Sequence, residues 1–166
     1  KEAVLIAVSQ NGFALEHASE RLQSDRDVAL VAVSKIGAAP LALNFAAESV
    51  RNDRAIVSAA VEQDGAALEY ASDMLRRDRE IVRLAVTQTG YALEFACEEL
   101  QNDKGIALIA VHQSGQALEF VSDELRGDRE VVLAAVSGYG HALEYAAEAL
   151  KWDDTLVRAA MDAEGG

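Results

Sequence analysis

The chain has 166 residues, 51% of them hydrophobic but only 5% aromatic, so a core of Ala, Leu and Val is expected. Its net charge of −13 argues against nucleic acid and anionic membrane surfaces, which need a basic footprint, and favours a partner protein with a basic surface. No apolar run approaches the roughly 18 residues that span a bilayer, and no signal peptide is visible, so no membrane insertion and an intracellular location are expected.

Taken in order, the chain repeats itself. Asp recurs at Asp25, Asp53, Asp78, Asp103, Asp128 and Asp153, and Gly at Gly12, Gly37, Gly65, Gly90, Gly115, Gly140 and Gly165. Both series step by 25 residues, with one step of 28. A fixed period in this range marks a repeat architecture. The units run 1–24, 25–52, 53–77, 78–102, 103–127 and 128–152, with 153–166 a partial copy, in a single repeat domain over 1–166.

The first unit opens with a helix ending near Gly12, whose Ala7/Val8 pair returns in every unit as far as Ala160/Met161. A second helix follows, marked by Leu15 and Leu22, which are matched in the fourth unit by Leu93 and Leu100. Between these leucines lies a small-residue slot (Ser19, Ala47, Ser72, Cys97, Ser122, Ala147), expected to let neighbouring helices approach closely. His17 stands where later units have Phe45, Tyr70, Phe95, Phe120 and Tyr145, and is expected to fill an aromatic packing site.

The second unit carries the insertion Ala38–Ala39–Pro40, with the only proline. Proline is tolerated at the start of a helix, so the second helix here is predicted to run one turn longer, from near Pro40 to Arg51. Asn44 replaces the Glu found in the other complete units, which makes this unit the best single candidate for a specialised spot.

The fourth unit shows the pattern most plainly. Ile81, Val82, Ala85 and Val86 fall at i, i+1, i+4 and i+5, one face of a helix. Asp78 is placed to cap its N-terminus, and Glu80 adds favourable charge there. Gly90 is expected to stop the helix in the left-handed conformation. Leu93, Ala96, Cys97 and Leu100, at i, i+3, i+4 and i+7, predict one continuous second helix over 92–101. Cys97 is the only cysteine, so it makes no disulfide within the chain and reads as a small buried residue in a reducing compartment. Helices of about ten residues are marginal alone, so stacking must stabilise them.

Further on, His112 and His141 flank the turns of neighbouring units, but two imidazoles without HxxxH or CxxC spacing do not make a zinc ligand set. Trp152, the only Trp, is expected to cover the end of the core, with an exposed binding residue as the alternative. Lys1 is in phase with the residue after a capping Asp, and the chain stops at Gly165–Gly166 where another second helix would begin. An excerpt from a longer array is therefore expected.

Two surfaces are candidates for binding. One is the edge at the turn between the two helices, where side chains differ from unit to unit: Phe13, Ile36, Pro40, Tyr91, Gln116, Tyr139 and His141. Variable side chains on a constant frame are how stacked repeats obtain specificity. The other is an acidic ladder, Glu69, Glu94, Glu119 and Glu144, with a second row that includes Asp73, Glu98 and Asp123. Beside them recur Arg26, Arg54, Arg79, Lys104 and Arg129, so the two sets read either as salt bridging between units and support of the caps, or as an acidic stripe for a basic partner. There is no GxSxG, P-loop, GxGxxG, HExxH or EF-hand loop, so no catalytic residue, metal or cofactor is predicted.

With Ser122–Asp153 in view, SDELRGDREVVLAAVSGYGHALEYAAEALKWD, a family likeness can be stated. D-R-E-V-V followed by G-x-A-L-E-Y-A-x-E-x-L resembles the repeat of the domain-of-unknown-function family numbered 4116, across essentially the whole chain. Pro40, Asn44 and Asp154 are local departures. The resemblance implies a tandem helical repeat of large multi-copy proteins in protists, algae and some bacteria, with no assigned activity. HEAT-like and leucine-rich-repeat-variant units are more distantly similar. The expectation is an all-α solenoid of about six and a half helix-turn-helix repeats, right-handed by analogy with other such stacks. Its expected role is a non-catalytic protein-interaction scaffold. A structural spacer or subunit inside a larger assembly is the alternative, and an enzyme or cofactor module the remote one.

Overall fold

The computed structural model describes residues 1–35 and 37–165. Long helices recur along it: α1 (Glu2–Gln10), α2 (Arg26–Val33), α3 (Arg54–Gln63), α4 (Arg79–Gln88), α5 (Lys104–Gln113), α6 (Arg129–Gly138) and α7 (Asp154–Glu164). The segments between them are 3-10 turns and short helices, and no strand occurs among the described residues. The chain is an all-α stack of helical hairpins.

The capping Asp residues act as expected. Oδ1 of Asp78 accepts from the amides of Glu80 and Ile81 at 3.0 and 3.1 Å, satisfying two donors that α4 cannot pair internally. Asp25, Asp53, Asp128 and Asp153 each take the same two amides, and Asp103 takes that of Ile106.

The glycine after five of the long helices (Gly12, Gly65, Gly90, Gly115 and Gly140) has a different reason from the one expected. The amide of Thr89 returns to Ala85 O at 2.9 Å and closes α4 without any left-handed residue. A Cβ on Gly90 would sit 2.5 Å from Ala110 O, in the next unit. Gly12, Gly65, Gly115 and Gly140 stand equally close to Ala32, Ala85, Ala135 and Ala160. These glycines let a turn press against the carbonyl of the following long helix. Among the described residues Gly37 is the one glycine with a positive φ, +76°, and nothing crowds it.

The continuous second helix is also corrected. In the fourth unit it is a 3-10 segment, Gly90–Phe95, then two extended residues, then a short α-helix, Glu98–Gln101. At Ala96 and Cys97 ψ is 156° and 157°. An unbroken helix would have turned the Cys97 amide back on its own segment. Instead that amide donates to Arg76 O of the preceding unit at 3.1 Å. The amides of Ala47, Ser72, Ser122 and Ala147 reach Gln23, Arg51, Gln101 and Arg126 in the same way. The small-residue slot thus marks the main-chain joint between units, and not a close approach of two helices.

The insertion gives no helix from Pro40 to Arg51. Of the inserted residues Ala38 lies in the turn after Gly37, while Ala39 and Pro40 open an α-helix, Ala39–Asn44, that replaces the 3-10 segment before the usual break and Glu48–Arg51. Pro40 lies in its first turn, where a missing amide costs nothing.

Each long helix packs on the next, and each 3-10 segment on the next. Leu15, Leu43, Leu68, Leu93 and Leu118 are completely buried at these junctions, each contributing of order 2 kcal/mol by removal from water.

Candidate functional site

The cations that follow the caps lie in a line along the stack. Arg79 Nε donates to Asp103 Oδ2 at 3.0 Å, while Oδ1 of the same Asp caps α5. The pairing repeats for Lys1–Asp25, Arg26–Asp53, Arg54–Asp78, Lys104–Asp128 and Arg129–Asp153, at 2.7 to 3.1 Å. Each capping carboxylate therefore serves both its own helix and the preceding unit. Hydrogen bonding to the cation holds Asp53, Asp78, Asp103 and Asp128 below the ordinary carboxylate range, and takes Asp153 down to about 2. The same contacts raise Lys104 and the ladder arginines above their usual values.

The cations thus bridge units and support the caps, with the capping Asp and not the acidic rows as their partners. The second row is partly neutralised by cations three residues on, with Asp73 on Arg76, Asp123 on Arg126 and Glu148 on Lys151. Glu69, Glu94, Glu119 and Glu144 are exposed and make no ion pair among the described residues.

Two open grooves run beside that row. One, of about 640 Å³, lies between the short helix Glu48–Arg51 and the Glu69–Met74 segment of the next unit. The second, of about 570 Å³, repeats it one unit on, between Asp73–Arg77 and Glu94–Gln101. They share Asp73 and Arg76, so they follow one another along the stack, each with a Glu of the unpaired row on its wall.

The turn edge is less free than expected. Phe13, Tyr91 and His141 are on the surface, but Gln116, Tyr139 and Pro40 are half-buried. Gln116 Nε2 donates to Tyr139 Oη at 3.0 Å, and the Tyr91 ring meets Phe120 edge-on, centroids 6.1 Å apart. His141 lies against Tyr139, and its Nδ1 is 2.9 Å from Glu164. Much of this edge is knitted between neighbouring units. Ile36 lies outside the described residues. His112 turns back on Leu108 O of its own helix.

Trp152 does not cover the end of the core: it is 83% exposed. Its slot holds Ser24, Asn52, Arg77, Asn102 and Gly127 in other units, all polar or small, which is the signal in the chain that the position faces outward. Met74 is 70% exposed on the wall of the first groove, at a position no sequence pattern marks: its counterparts are Arg21, Ser49, Glu99, Glu124 and Ala149.

Among the described residues no helix is long and apolar enough to cross a membrane. The family described as "Domain of unknown function (DUF4116)" matches residues 1–39, 38–76, 78–126 and 128–162. No curated protein and no solved structure matches the chain.

Proposed function

The chain belongs to the DUF4116 family, and on that premise we propose that it is a non-catalytic scaffold binding another protein through the Glu69, Glu94, Glu119 and Glu144 side of the stack. One observation carries this reading. The cations that follow the caps are committed to the capping Asp ladder, which leaves the Glu row without an ion pair, with Glu69 and Glu94 on the walls of two successive grooves that also carry Arg51, Arg76 and Arg77. A basic segment lying along the grooves gains attraction from each in turn, and steering by such a field acts mainly on the association rate. The turn edge, with Tyr91 and His141 exposed, is proposed as a flanking contact.

The test is capture of binding proteins by the chain, beside a Glu94→Lys/Glu119→Lys/Glu144→Lys variant of unchanged helicity. The expected result is a specific prey lost from the variant and weakened by added salt. A prey held equally by both forms removes the acidic row from recognition. A Tyr91→Ala/His141→Ala variant then tests the edge. The spacer reading is favoured by the knitted edge, Gln116 to Tyr139 and Tyr91 to Phe120. It gains if neither surface matters.

A further inference from the structure

The 3-10 layer carries a second row beside the Glu row. In the fourth unit Ala92 and Leu93 are fully buried, so Tyr91 and Glu94 on either side of them point outward. Residues three apart in a 3-10 helix lie over one another, which puts these two on one face. Ala66 and Glu69 flank the buried Ala67 and Leu68 in the same way, and Leu41 and Asn44 flank Ala42 and Leu43 in the short helix Ala39–Asn44. Because each of these segments packs on the next, Leu41, Ala66 and Tyr91 form an apolar row parallel to Glu69 and Glu94. Leu41 is 43% exposed and Tyr91 38%. Their units have a neighbour on either side, so stacking itself leaves them open. The row ends at Gln116, whose side-chain amide is bound to Tyr139.

Two parallel rows, one apolar and one anionic, select a partner by shape and by charge. Packed helices stand about 8–10 Å apart, which sets the step of both rows. Seven residues of an α-helix rise about 10.5 Å, so a helix lying along the stack returns the same face once per unit. An extended strand returns its face about every 6.6 Å and falls out of step. In a helix, a residue four positions after the apolar one is turned by only about 40°, so both reach the surface together. A cation there meets Glu69 and Glu94, which no cation pairs among the described residues. A second copy of this chain, with its net charge of −13, is repelled. We propose that Leu41, Ala66, Tyr91, Glu69 and Glu94 dock an amphipathic α-helix of a partner protein, lying along the stack with an apolar residue at every seventh position and Lys or Arg four residues after each. The proposal rests on the Glu row being a binding surface, and it specifies the segment that row takes.

The probe is a synthetic helix of three copies of LAQAKAQ. Its control, three copies of LAKAQAQ, has the same composition but turns Lys about 200° away from Leu. Both are Ala-rich and longer than the length at which isolated helices are marginal. Added to the isotope-labelled chain, the first is expected to shift the amides of Leu41, Ala66 and Tyr91, and to bind about fivefold more tightly than the control. Leu41→Gln/Tyr91→Gln is expected to abolish that preference. Gln116 holds the same slot in the fifth unit, so the stack accommodates the change. Three results overturn the proposal. Equal binding of the two peptides, with shifts at Glu69 and Glu94, leaves charge alone as the attraction, so the Glu row survives as a binding surface and the helix does not. No shift from either peptide at the five residues removes the helix as well, and the prey of the Glu94→Lys/Glu119→Lys/Glu144→Lys chain then decides separately whether the Glu row binds. Sedimentation as a dimer, with the Leu41 and Tyr91 amides shifting on dilution, makes a second copy the occupant.

Discussion

The capping aspartate is the most heavily used residue of the unit, because its two oxygens do separate work. Oδ1 of Asp78 holds two amides of α4 and Oδ2 holds Arg54 of the unit before. Removing the whole carboxylate and removing its ion partner should therefore differ. Asp78→Ala is expected to cost about 1–2 kcal/mol in urea unfolding, as lost caps do. Arg54→Ala, which breaks an exposed pair, should cost less than the lost cap, and that cost should vanish in high salt. Glycines separate in the same way. Gly90→Ala drives a Cβ into the Ala110 carbonyl, so a loss of about 2 kcal/mol or more is expected. Gly37→Ala meets no atom, and its cost is that of a positive φ alone, about 1 kcal/mol. Paired melting curves of the two variants distinguish a contact from a conformation.

At the scale of the element, the break inside each second segment joins the units. Cys97 has φ −66°, a value proline shares, so Cys97→Pro keeps the backbone shape and deletes the amide that reaches Arg76 O. It is expected to cost about 1–3 kcal/mol by leaving that carbonyl unpaired. Cys97→Ala, which keeps the amide, should cost under about 1 kcal/mol. Hydrogen exchange should show faster opening where the third and fourth units meet in the proline variant. If the two variants match, the joint contributes nothing.

For the whole molecule, each unit touches its neighbours, so stability accumulates unit by unit. The ladder gives that sum a pH dependence. The ladder carboxylates have pKa values lowered by their cations, so their contribution is fully present above the unfolded value, near 3.8. It is lost as pH falls through the folded values, which reach about 2 at Asp153. Acid unfolding followed by circular dichroism should steepen across that window. An Arg79→Gln/Arg129→Gln chain, whose Asp103 and Asp153 lose their partners, should begin to unfold at higher pH.

The repeat, the long helices, their Asp caps and the buried leucines were legible in the chain, because each follows from local chemistry at fixed spacing: a carboxylate next to free amides, and apolar residues on one helical face. Three features were not. Gly90 read as a helix stop, but its reason is a carbonyl 20 residues away. Leu93 to Leu100 matched one helical stripe, yet they sit on two segments, because the Cys97 amide bonds to the unit before. Ser72 and Ser122, each followed by an acidic residue, hinted at a new N-terminus there. The cations after the caps had two kinds of carboxylate within reach in the sequence, and stacking chose the Asp, leaving the Glu row unpaired. Which of two chemically equal partners is met depends on how one unit sits on the next, and that placement exists only in the tertiary structure.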